Sequence, residues 1–305
     1  MTKVSVIQAS SVFGDIEKTI AKIDQLTAEA AAQGSKLVVF PEAMLGGYPL
    51  GINFGEIGKR GSDTRRRFHD YTAAALRLPG DIVQAVSTIA KNHSLVMVIG
   101  MVEREIASVY NSALVIGADG KVMRLHRALT VPPSERALWR LGDGAYLKAT
   151  GTPIGNIGTM IRTENYMPAA RMIMYGEEVQ IYCALTLEDD AGWIPSMQHI
   201  AREGGCFVLS SCQYLTRQDY PAGWFENEGD AEQVFIRGGS CIVSPSGTVI
   251  EGPLYGKEGI LTADIDLGEI IDRKVDFDAI GDAARPDVFR LMFNYEPLDA
   301  IISAR

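Results

Sequence analysis

The sequence predicts an α/β protein in which mixed β-sheets carry helices on their outer faces. Three features of the order of segments predict it. Strand-period and helix-period stretches alternate from the first residues, hairpin signals follow one another in the middle, and the second half repeats the helix–strand order of the first. No Pro- or Ser-rich linker separates the halves, so residues 1–305 read as one domain.

The elements follow in order. "KVSVIQAS" sets Val4 and Val6 among polar residues, the period of a strand. Asp15 is placed to cap a helix whose apolar positions Ile16, Ile20, Ile23 and Leu26 keep helical spacing, with Gly34 as its stop. "KLVVF" (36–40) has the pattern of a fully buried strand and runs into Pro41 and Glu42. Residues 82–92 repeat the helical spacing through Ile82, Val86 and Ile89, and "SLVMVIGMVER" returns to strand. "ALVIGADGKVMRL" places Asp119-Gly120 between two strands, a strong hairpin signal, and "TPIGNIGTMI" predicts a second hairpin around Gly155-Asn156. Beyond it come a helix (168–175), the strand "VQIYCAL", a helix (195–204), the strand "CFVLSSC", the hairpin "CIVSPSGTVIEG" and the strand "GILTADID".

Composition narrows the function classes. With 47% hydrophobic and 22% charged residues, the chain has the make-up of a soluble globular protein. Its longest apolar run, "LVMVIGMV" (95–102), is far short of a membrane span, and the start lacks a secretory pattern, so the cytoplasm is the expected location. The net charge of −9 argues against nucleic acid or an anionic membrane as the partner. "TRRRF" (64–68) is a local exception, read as the solvated or subunit-facing side of a helix. Cys183, Cys206, Cys212 and Cys241 occur singly and read as buried reduced thiols; four histidines without metal-ligand spacing give no reason to expect a metal or other cofactor.

One segment stands out. In "GTMIRTENYMP" (158–168) an apolar strand ends at Arg162, where α/β enzymes usually present a nucleophile. Together with "VVFPEAMLGGYP", "MVEREIASVYNSALV", "LHRAL", "SERALWRLGDGAYL", "RGGSCIVSPSG" and "ARPDVFRL", it resembles the nitrilase branch of the carbon–nitrogen hydrolase superfamily, from about Val4 to Leu291. The resemblance implies a four-layer αββα sandwich acting on a small molecule. It also implies a homo-oligomer, a dimer or a larger spiral, with the segment from about 270 to 305 as an oligomerisation or covering arm.

It further implies a thiol nucleophile, a glutamate base, a lysine that stabilises the tetrahedral intermediate and a second glutamate. Glu42 of "FPEA" and Glu135 of "SERALW" match the two glutamates. Ala128 stands where the family's "HRKL" pattern has lysine, and Arg162 and Thr163 stand where its "CWEN" pattern has Cys-Trp. Glu164 of the retained "EN", with "HR" beside Ala128, fixes this register, and Arg162, Ala128, Tyr48, His126, Thr163 and Glu164 are expected to bind substrate or line the pocket. "TVPP" (130–133) and Asp282-Ala283 are further departures expected near the site. Tyr48 reads as pocket-adjacent or as an aromatic packed on its loop, and His126 as a structural hydrogen-bonding residue. Glu188, Asp189 and Asp190 read first as a solvated acidic loop and second as lining the entrance, and Trp193 and Gln198 as structural or rim residues.

A guanidinium stays protonated and cannot attack an electrophile. On the sequence alone, thiol-dependent nitrile hydrolysis is therefore expected to be lost. The first expectation is acid–base chemistry by Glu42 and Glu135 on a small anionic molecule anchored by Arg162. A pseudoenzyme acting through assembly is the second, and an ordinary nitrilase or amidase using a displaced thiol is the third.

Overall fold

A computed structural model describes residues 1–52, 62–225 and 229–298. The first sheet holds β1 (Thr2–Gln8), β2 (Leu37–Val39), β3 (Val96–Glu105), β4 (Ser108–Ile116), β5 (Val122–Arg127) and β13 (Gly259–Ile265), in the order β13-β1-β2-β3-β4-β5. The second holds β6 (Thr150–Thr152), β7 (Gly155–Ile161), β8 (Ile181–Thr186), β9 (Phe207–Cys212), β10 (Tyr214–Thr216), β11 (Val234–Val243) and β12 (Val249–Tyr255). Its order is β10-β11-β9-β8-β7-β6, with β12 paired to β11.

Burial follows the two-residue period of the strands. Val4, Val6, Val39, Val98 and Ala113 of the first sheet meet Ile157, Ile161, Leu185 and Leu209 of the second in the central core. The alternate residues Ile7, Val38, Met97 and Ile99 face outward, against Ile23 of α1 (Ile16–Ala32) and Val86 and Ile89 of α3 (Asp81–Asn92). Met160, Tyr182 and Val208 do the same against Met174 of α4 (Pro168–Gly176) and Met197 and Ile200 of α5 (Trp193–Gly204). Helix, sheet, sheet and helix make the expected αββα sandwich. No described helix is long and apolar enough to cross a membrane.

Local signals act as expected at most boundaries. The Asp15 carboxylate accepts from Lys18 N at 3.0 Å and caps α1. "TRRRF" lies on α2 (Asp63–Ala74), where Arg66 and Arg67 both pair with Asp63. Two boundaries differ. The β6–β7 hairpin turns at residues 153–154, because Thr152 pairs with Gly155, so Gly155 opens a strand instead of forming the turn. Helix α5 begins at Trp193, two residues ahead of Pro195, which occupies its first turn where no backbone donor is needed. The C-terminal segment begins within α6 (Gly268–Asp276) and continues without regular structure; Leu298 N donates to Asp143 at 2.9 Å. Residues 299–305 of the expected arm lie outside the described residues.

Both sheets have a parallel centre, β1-β2-β3 in one and β7-β8-β9 in the other. Parallel strands place their carboxyl ends together, and such ends are where α/β folds hold ligands. Glu164, fully buried, ties the two sheets at this level. One of its oxygens accepts from Leu129 N at 2.6 Å, just beyond β5, and the other from Ile161 N at 2.6 Å, at the end of β7. His126 Nε2 of β5 lies 2.9 Å from the same carboxylate, and its Nδ1 lies 3.2 Å from the Tyr146 carbonyl. Burial disfavours the charged imidazole, but the carboxylate's charge and hydrogen bond outweigh it and raise the His126 pKa. Replacing Glu164 by Gln would turn an NH2 group towards one of the backbone donors. Urea unfolding of Glu164→Gln should show a loss of about 2 to 4 kcal/mol; a loss below about 1 kcal/mol would mean that the carboxylate is not the tie between the sheets.

Candidate active site

Glu42 follows Phe40 and Pro41 off the end of β2 and is fully buried. The loop can lie there because residue 100 is glycine: a Cβ on Gly100 would stand 2.7 Å from the Glu42 Cα. Asn111 of β4 donates its amide Nδ2 to Glu42 Oε1 at 2.8 Å, and Gln213 Nε2 donates to the Glu42 carbonyl. Glu42 Oε2 has no hydrogen-bond partner. Burial raises the Glu42 pKa to about 7, with Glu135 and Glu188 adding to the rise and Arg162 and Asn111 opposing it.

Arg162 comes from the facing sheet, one residue past β7. Its φ is 49°, in the left-handed region that side-chain-bearing residues rarely occupy, so the backbone is strained at the very position the sequence singled out. Nη1 lies 3.0 Å from both oxygens of Glu135 and 3.5 Å from Glu42 Oε1. Nη2 reaches the Tyr48 hydroxyl at 3.4 Å, and the guanidinium stands 5.1 Å from the centre of that ring. Burial works against its charge, but Glu42, Tyr48 and Glu135 more than compensate and hold its pKa above the ordinary arginine range.

Glu135 ends a short 3-10 turn (Pro133–Glu135) and accepts the Tyr48 hydroxyl at 2.6 Å. Burial pushes the Tyr48 phenol above its usual range, so it stays a donor at neutral pH. The Tyr48 ring packs in the central core while its hydroxyl meets Glu135 and Arg162. Ala128 is buried, and its N–H donates to the Asn111 carbonyl at 2.9 Å. That bond continues the β4–β5 pairing beyond Ser112 and Arg127, which makes Ala128 the cross-strand neighbour of Asn111 on the inner face. Thr163 Oγ1 donates to the Thr130 carbonyl at 3.4 Å, so the "TVPP" departure does border the site.

Other expectations need correction. Glu188 is not simply part of a solvated loop: it is half-buried, with Oε1 3.5 Å from Arg162 Nε, because β8 delivers it beside β7 at the same sheet edge. Asp282 and Ala283 are exposed, and no described contact brings them to the cluster. Trp193 is buried and donates to Ser210 at 2.8 Å, a structural bond. Asn111 and Gln213 were missed. Their only signal is a polar residue at a buried strand position or just past a strand end.

The four cysteines are all buried and unpaired. Burial raises each thiol's pKa, yet their surroundings differ. At Cys212, which ends β9, the charges of Asp189, Glu42 and Glu188 push the thiol further up, and Arg162 opposes them. Its Sγ donates to the Glu188 carbonyl at 3.5 Å. The set gathered at the carboxyl ends therefore comprises three carboxylates, one guanidinium, a phenol and a thiol. Among the described residues, no cluster has the composition of a metal site.

Known proteins can now be set beside this geometry. A family model described as carbon–nitrogen hydrolase matches residues 3–274. An aliphatic nitrilase of Sinorhizobium fredii (strain HH103) is 45% identical, over 99% of each chain. A bifunctional nitrilase/nitrile hydratase of Lupinus angustifolius, NIT4A, is 42% identical over 98% of this chain and 88% of its own. Among solved structures, the carbon–nitrogen hydrolase of Helicobacter pylori G27 superposes with a TM-score of 0.74 at 21% identity, over 94% of this chain and 96% of its own. These findings overturn the expectation of a repurposed or inactive protein. That expectation weighed two substituted positions, whereas relatives that match 97% or more of this chain are named nitrilases. The chain belongs to the nitrilase branch of the carbon–nitrogen hydrolase family.

Proposed function

We propose that the protein hydrolyses small nitriles, with Glu42 as general base and Cys212 as the nucleophile. The observation that carries this reading is the similarity, along 99% of the chain, to a protein named an aliphatic nitrilase. In this reading Arg162 and Ala128 occupy the positions at which the family pattern has its cysteine and lysine. The thiol must then come from elsewhere, and Cys212 is the cysteine whose Sγ meets Glu188, the residue that faces Arg162.

The chemistry follows from the groups available. Glu42, with a pKa near 7, takes the proton of the Cys212 thiol as sulfur adds to the nitrile carbon. The nitrile nitrogen takes up a proton and gives a thioimidate. Water adds to it and ammonia departs, leaving a thioester; a second water releases the carboxylic acid and restores the thiol. Two waters are consumed, and one carboxylic acid and one ammonia are formed. Arg162, held against Glu135 and Tyr48, supplies fixed positive charge beside the tetrahedral intermediates. Glu135 and Tyr48 position that guanidinium.

Ammonia release from a panel of short aliphatic nitriles tests the function; its absence throughout the panel would overturn it. Cys212→Ala should lower kcat/KM by roughly a thousandfold or more, and a nitrile-derived adduct should appear on the peptide carrying Cys212. Full activity in Cys212→Ala would exclude that thiol as nucleophile while leaving the reaction in place.

The Glu42 carboxylate must be ionised to act as a base, so kcat/KM should fall as pH drops through about 7. Stability runs the other way. The folded pKa lies above the unfolded value, so the stabilisation present below pH 4.5 is lost as pH rises through about 7. The loss should amount to roughly 3 kcal/mol. Thermal melts from pH 5 to 8 should show this decline in the wild type and a flatter profile in Glu42→Gln; identical profiles would contradict it.

A further inference from the structure

Three fully or almost fully buried side chains around Glu42 carry an oxygen without a hydrogen-bond donor: Glu42 Oε2, Asn111 Oδ1 and Gln213 Oε1. They are not scattered. The Asn111 amide is bonded through its nitrogen to the other oxygen of Glu42, and the Gln213 amide through its nitrogen to the Glu42 carbonyl. Each amide has thus spent its donor on Glu42 and keeps a free acceptor beside it. Buried acceptors of this kind are rare and ask for a donor.

Charge points the same way. With their carboxyl groups ionised, Glu42, Glu135 and Glu188 face a single cation among the described residues, Arg162. Its Nη1 reaches Glu42 only through Oε1, at 3.5 Å, and leaves Oε2 unmet. Ala128 adds the third argument. It stands next to Asn111 across the β4–β5 pair, and its methyl group offers these acceptors no donor.

We infer that Glu42 Oε2, Asn111 Oδ1 and Gln213 Oε1 form a binding site for an ammonium nitrogen, either free ammonium or the protonated amino group of a larger molecule. A tetrahedral N–H donor suits one carboxylate oxygen and two amide oxygens, since all three accept and none donates. A bound ammonium would bring the second positive charge that three carboxylates lack. The nitrile reading supplies a reason for ammonium to be present, because ammonia is its product, and to that extent the inference rests on it.

The experiment needs no nitrile, so its failure would leave the proposed hydrolysis untouched. Melting temperatures of the wild type are recorded at pH 8, where Glu42 is ionised, in ammonium, ethylammonium, sodium and potassium chlorides at equal ionic strength. Ammonium should give a saturable rise of about 3 °C at ten times its Kd, with no matching rise in sodium or potassium. A rise with ammonium alone identifies the free ion as the ligand, and an equal rise with ethylammonium identifies the amine of a larger molecule. Glu42→Gln, which keeps the shape and removes the charge, should abolish the effect. Ala128→Lys, which carries its own ammonium to the site, should abolish it and melt higher in the absence of added ion. Equal response to all four salts, or an undiminished response in Glu42→Gln, would overturn the inference and leave buried water as the partner of these oxygens.

Discussion

The architecture of the site depends on one buried carboxylate that is not part of it. Glu164 accepts backbone N–H groups from both sheets and a histidine from one of them, and so fixes how the end of β5 stands against the end of β7. Arg162 lies two residues before this tie and Ala128 one residue before Leu129, its partner in the other sheet. Their placement relative to Glu42 is therefore set by hydrogen bonds rather than by apolar packing, which alone would allow the two sheets to slide. A fully buried charge with three partners costs little where a fully buried charge with none would cost several kcal/mol.

From that constraint follows the electrostatic character of the cluster. Carboxyl ends of parallel strands converge from two sheets, and each sheet contributes acid: Glu42 and Glu135 on one side, Glu188 on the other. A single guanidinium spans all three, with one edge towards Glu135 and Glu42, a second nitrogen on Tyr48 and its Nε towards Glu188. Glu42 is the most enclosed of them, and burial is the largest cause that raises its pKa to about 7; Arg162 opposes the rise, and the charges of Glu135 and Glu188 add to it. Among the described residues its Oε2 meets no donor.

Much of this was legible in the sequence, and the reasons differ from residue to residue. Strand and helix assignments rested on periods that packing then enforces: Val4 and Val6 turn to the central core and Ile7 to the helices. Glu42, Glu135 and Arg162 could be placed together because each lies in a recognisable segment, and the structure brings them within 3.5 Å. Glu188 was misread because acidic residues after a strand are usually solvated; only the neighbouring position of β8 and β7 discloses its role. Asn111 gave no signal, since an asparagine within a strand is conspicuous only once its cross-strand partner and the Glu42 loop are known to meet it.

The functional misreading has a physical lesson of its own. A guanidinium cannot attack an electrophile, but its presence does not exclude a reaction from the site around it. The backbone at Arg162 is strained, with φ 49°. Strain of that kind costs roughly 1 to 3 kcal/mol and persists only where the surroundings hold it. Here they do: Ile161 N is bound to Glu164 just before it, and the Arg162 carbonyl accepts from Asn165 at 2.9 Å just after it. What the fold maintains, then, is a fixed point facing Glu42 at which positive charge is presented.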